Sequence, residues 1–143
     1  MIRLALLAVL TLPLTVSAQD KKDVSKELVP LQGTWKVLKI ESGGKPLEKD
    51  PSGLRFKFEG NRMDVMENEK EKEDSGTVEV NSKKDPAEID FTSSKGTRIQ
   101  GIYKLDKDGK FHLCIARGKD AVRPKSFDTA GTGNRVFVLE KVK

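Results

Sequence analysis

From Thr34 onward, the apolar residues of this 143-residue chain come in short bursts rather than in stripes at spacings of three and four. Leu54, Phe56 and Phe58 alternate with Arg55, Lys57 and Glu59; Gly60-Asn61 then turns the chain, and Met63 and Val65 continue the alternation. Alternation by two places every apolar side chain on one face of an extended strand, and a Gly-Asn turn between two such runs is a hairpin signal. Thr34 to Glu41, Thr77 to Val80, Ala87 to Phe91, Arg98 to Leu105, Lys110 to Ala116 and Arg135 to Lys141 read the same way, giving about eight strands. In the first of these, Trp35 and Val37 fall on one face and Leu38 and Ile40 on the other. The last carries four apolar residues in a row, Val136 to Leu139, so both of its faces should be covered. Gly and Pro close the runs at Ser42-Gly43-Gly44-Lys45-Pro46, and Asp106-Lys107-Asp108-Gly109 joins the last hairpin.

Short antiparallel strands in chain order predict an all-β fold, an antiparallel up-and-down β-barrel with a short helical lead-in over Val24 to Leu31. Closure removes the free edges that an open sheet would expose. Eight strands leave room inside for side chains or one small ligand. The expected inward set is Trp35, Val37, Leu54, Phe56, Phe58, Met63, Val65, Ile89, Phe91, Tyr103, Leu105, Phe111, Leu113 and Ile115.

Ahead of the strands, Arg3 precedes an apolar run from Leu4 to Leu14, and Val16-Ser17-Ala18 supplies small residues before Gln19. This is the pattern of a secretory signal peptide over residues 1–18, with the barrel domain over 19–143 and a periplasmic or extracellular destination. The run is too short for a membrane span, which needs about 20 residues. Of 51 apolar residues, 13 lie in the signal, so the remaining 125 residues hold 38, about 30%. That lean content points to a narrow or filled interior. Removing Arg3 lowers the net charge from +5 to +4, spread over loops of mixed sign.

Five segments carry a resemblance. Leu31-Gln32-Gly33-Thr34-Trp35-Lys36-Val37 looks like the Gly-x-Trp opening of lipocalin-type barrels. Gly101-Ile102-Tyr103-Lys104-Leu105, Phe111-His112-Leu113-Cys114, Arg123-Pro124-Lys125-Ser126-Phe127 and Val136 to Lys141 together resemble a lipocalin-like domain family of exported bacterial proteins, mainly planctomycete, of unknown function. Over Leu31 to Lys141 the resemblance implies a lipocalin-like barrel and no particular activity. Where that family often ends its last strand in a basic pair containing Arg, Glu140-Lys141 stands here.

Catalytic chemistry has few places to reside. His112 is the only histidine and Cys114 the only cysteine, and alternation puts both on the less apolar face of one strand. A Cys–His pair can make a nucleophile, but packing explains both residues, and we expect no enzyme, no cofactor and no metal. Asp106-Lys107-Asp108-Gly109 starts like a calcium loop but lacks the later oxygen ligands and the terminal Glu. Glu67, Glu69, Glu71, Glu73 and Asp74 alternate with Lys70 and Lys72 and read as a solvated loop. The aromatics sit at core positions rather than beside a basic stripe, so no nucleic-acid partner is expected.

The candidate ligand-lining or core residues are Trp35, Val37, Phe56, Phe58, Phe91, Tyr103, Phe111, Leu113 and Ile115. Arg123, Pro124 and Phe127 are candidate polar contacts or anchors of a loop flap over one barrel end. The expected partner of a monomeric barrel is a small apolar or amphipathic ligand; the alternative is a filled barrel that binds another exported protein through its outer surface.

Overall fold

The computed structural model describes residues 25–68, 70–71, 75–118 and 120–143. The expected signal peptide and the first residue of the lead-in lie outside this set, as do Glu69 and 72–74 of the acidic run. A 3-10 helix over Lys26–Leu31 leads into ten strands: β1 Gly33–Ser42, β2 Lys45–Pro46, β3 Leu54–Glu59, β4 Arg62–Glu67, β5 Lys70–Glu71, β6 Gly76–Asn81, β7 Ala87–Ser93, β8 Arg98–Leu105, β9 Phe111–Ala116 and β10 Asn134–Lys141. Eight of them form a closed antiparallel up-and-down barrel. The order runs β1, β3, β4, β6, β7, β8, β9, β10, and β10 pairs back onto β1. The short strands β2 and β5 extend the hairpins of β1 and β4.

The acidic run is therefore not wholly loop. Asn68 adopts a positive φ of 52°, and the chain folds back so that Glu67 pairs with Lys70 and Met66 with Glu71. The seam between β4 and β6 is short, with only Arg62–Met63 paired against Thr77 and Gly76. Gly76 is required there by close approach: a Cβ would stand 2.0 Å from the Thr92 carbonyl oxygen. Gly33 is needed for a different reason, its φ of +108°.

A β-bulge in β1 overturns one expectation. Val37 pairs with Leu139 and Lys39 with Val138, so Leu38 is the extra residue. An extra residue shifts the alternation by one, and Ile40 joins the same core as Trp35 and Val37 while Leu38 is exposed. Leu105 is a second correction. It ends β8 beside the turn and is 39% exposed, outside the core that holds the rest of the expected inward set. Leu28 and Leu31 of the 3-10 helix, with Val78, Phe137 and Leu139, complete that core.

The outer face of β8, β9 and β10 carries a second, smaller core of Ile102, Cys114 and Val136, packed against Phe127 and Val138. Here the long loop before β10 covers the sheet. The unbroken apolar run of β10 is thus buried on both sides, Phe137 and Leu139 inward and Val136 outward. The flap lies against the barrel wall, not over a barrel end.

Candidate functional site

The interior divides into a packed end and an open end. At the packed end Phe111, fully buried, is the hub of an aromatic cluster, with ring centroids 5.4 Å from Trp35, 5.9 Å from Phe58 and 6.0 Å from Tyr103. The 3-10 helix closes this end. Trp35 Nε1 donates to the Leu31 carbonyl at 2.8 Å. The Gln32 side chain spans to the β3–β4 turn, donating to the Gly60 carbonyl at 2.9 Å and accepting from Gly60 N at 2.8 Å. Glu27 accepts from the backbone and hydroxyl of Ser82 in the β6–β7 turn, which holds its carboxyl below the usual range. Lys141 Nζ lies 5.5 Å from the Trp35 ring centroid, a cation against the aromatic face.

The other end holds a cavity of about 810 Å³. Its apolar wall includes Phe56, Met63, Val78, Ile89, Phe91, Leu113, Ile115 and Phe137, and its mouth is formed by the 49–53 loop, Glu67–Asn68, the β7–β8 turn and Arg135. This volume lies within the range of small-molecule sites, roughly 300–1,000 Å³. The expectation of a filled interior fails at this end alone; at the packed end Trp35, Phe58 and Tyr103 close around Phe111, whereas Phe56, Phe91 and Phe137 stand along the wall of the open end. Of the candidate lining residues, Phe56, Phe91, Leu113 and Ile115 face the cavity. Trp35, Phe58, Tyr103 and Phe111 make the aromatic plug, and Val37 is buried core.

Arg123, Pro124 and Phe127 are brought together on the outer wall, away from the cavity. Arg123 Nη1 donates to the Gly101 carbonyl at 2.8 Å and stands 2.7 Å from Asp90 Oδ1; its Nε is 3.6 Å from Glu88. Burial pushes the Asp90 carboxyl up, but hydrogen bonds from Arg123 and Arg98 outweigh it and leave the group below its ordinary range. Pro124 is buried, Phe127 packs on the outer core, and Lys104 Nζ sits 4.6 Å from the Phe127 ring. Thr129, also buried, accepts from Gly44 N at 2.9 Å and ties the flap to the β1–β2 turn.

His112 and Cys114 share this outer side of β9, yet their hydrogen bonds run apart. His112 Nε2 lies 3.0 Å from Asp106 Oδ2, whereas the Cys114 thiol donates to the Ser126 carbonyl at 3.5 Å. Asp106 also accepts from Asp108 N and Lys110 N, so it organises the hairpin turn. Cys114 is 0% exposed, and burial pushes its thiol up to about 11, keeping it protonated at neutral pH. Among the described residues no group of three or more His, Cys, Asp or Glu is placed to hold a metal ion, and no helix is long and apolar enough to cross a membrane.

Arg135 was not singled out by its sequence surroundings, although its signal is plain afterwards. It sits two residues before Phe137 in β10, pairs with Ile115, and shares their inward parity. Val78, Ile40 and Phe137 were likewise missed as cavity residues.

Fold and site together define a closed eight-stranded barrel with one plugged end and one apolar, solvent-open cavity. Comparison with family models, with curated proteins and with solved structures finds no match to this chain.

Proposed function

We propose that this chain is an exported small-ligand-binding barrel of the lipocalin-like type, which holds an apolar or amphipathic molecule in the cavity at its open end. The observation that carries this reading is the 810 Å³ cavity with an apolar wall in a barrel whose other end is plugged. Burial of a ligand's apolar surface there supplies affinity at about 25 cal/mol per Å². The same cavity weighs against the filled-barrel interaction module. The separated hydrogen bonds of His112 and Cys114, and the protonated thiol, support a binder over an enzyme. The signal-like segment over residues 1–18 supports export.

Titration with the neutral fluorophore N-phenyl-1-naphthylamine tests the cavity. Saturable, single-site enhancement is expected, and Ile115→Trp, which fills the cavity, is expected to abolish it while the far-ultraviolet circular dichroism stays unchanged. Absence of saturable binding, or equal binding by the filled variant, would remove the reading.

A further inference from the structure

At the mouth of the cavity, Arg135 is a half-buried charge without an acidic partner among the described residues. Arg135 reaches the cavity from β10, and its Nε is buried without a hydrogen-bond partner. No described acidic side chain pairs with its guanidinium, and the charge that acts on it is another cation, Arg117. The acids at the mouth are committed elsewhere: Asp50 accepts from Ser52 N at 2.9 Å and from its hydroxyl at 3.0 Å, and Glu67 has its own partner. Lys49 and Lys95 add further cations to the rim.

A half-buried guanidinium whose enclosed Nε finds no acceptor opposes folding, since buried polar and charged groups are ordinarily paired. Such a group is retained where a ligand completes it. The guanidinium fork matches the two oxygens of a carboxylate or phosphate, and its hydrogen bonds to an anion are about twice as strong as neutral ones.

We infer that the ligand of this cavity is an anionic amphiphile, an apolar tail lying against the barrel interior with one carboxylate or monophosphate head held by Arg135. This deepens the proposed function and rests on it.

The test is calorimetric titration of the purified protein with decanoate, decyl phosphate and decan-1-ol, which share a tail and differ in the head. At least one anion is expected to bind roughly tenfold or more tighter than the alcohol, and the tighter of the two identifies the head. Arg135→Gln is expected to erase that preference while leaving decan-1-ol affinity unchanged, and to raise the melting temperature of the free protein. Arg135→Lys, which keeps the charge and loses the fork, should retain part of the preference, and it serves if Arg135→Gln fails to fold. Equal binding of acid and alcohol, or an equal loss for all three in Arg135→Gln, overturns the anionic head while leaving the cavity reading intact. Failure of all three to bind overturns both.

Discussion

Cys114 and Arg135 show how much a single residue's meaning depends on which side of the wall it faces. Cys114 points outward, yet the flap buries it more completely than most interior residues, and its thiol is correspondingly reluctant to ionise. The folded pKa, raised to about 11, lies above the unfolded value. The unfolded chain therefore releases this proton first, and the stability tied to the neutral thiol is lost as pH climbs from about 9 towards 11. Urea midpoints measured from pH 8 to 11 should fall more steeply for the wild type than for Cys114→Ala. The comparison cancels Tyr103, whose hydroxyl burial also pushes upward. Parallel slopes would mean that the flap does not shield the thiol.

Among the elements, the long loop before β10 has the largest effect for its lack of regular structure. It covers the outer face of three strands through Phe127 and is pinned by Arg123 to Asp90 and the Gly101 carbonyl. Replacing Arg123 with Ala removes its hydrogen bond to the Gly101 carbonyl and its ion pair with a half-buried aspartate that still keeps Arg98. We expect a loss of about 1.5–3 kcal/mol in urea denaturation, with ligand affinity unchanged because the cavity lies on the other side of the wall. Asp90 has a depressed carboxyl, so its contribution is present above the ordinary carboxylate range and disappears as pH falls through the folded value. The gap between wild type and Arg123→Ala should therefore narrow under acid. A variant of unchanged stability that loses decanoate binding would reassign Arg123 to the site. The 3-10 helix is the complementary element. It is only six residues long, yet Trp35, Gln32 and Glu27 bond it to β1 and to the β3–β4 and β6–β7 turns at its end of the barrel.

At the scale of the whole molecule, the barrel is two environments in one wall, a plug around Phe111 and an open cavity. Amide hydrogen exchange should report this division. Amides of β1 and β9 around Trp35 and Phe111 are expected to be the slowest, and those of the 49–53 loop and the β7–β8 turn among the fastest. Decanoate should slow the latter group selectively; uniform protection, or none, would argue against a ligand seated at the mouth. Eight strands, their order and most inward positions were legible in the sequence because alternation by two is a local property, written residue by residue along each strand. The double burial of β10 was legible for the same reason, in four consecutive apolar residues. Three things were not. The bulge at Leu38 that turns Ile40 inward arises from pairing with β10, about a hundred residues away. The position of the flap on the wall depends on Asp90 and Gly101, which belong to other strands. The cavity and its unpaired Arg135 exist only because closure brings residues of different strands around one space, gathering the Phe111 cluster at one end and leaving the other open. Local sequence determines what each strand shows to its two faces; only the closed barrel decides which of those faces meet, how tightly they fill the space between them, and which charge is left without a partner.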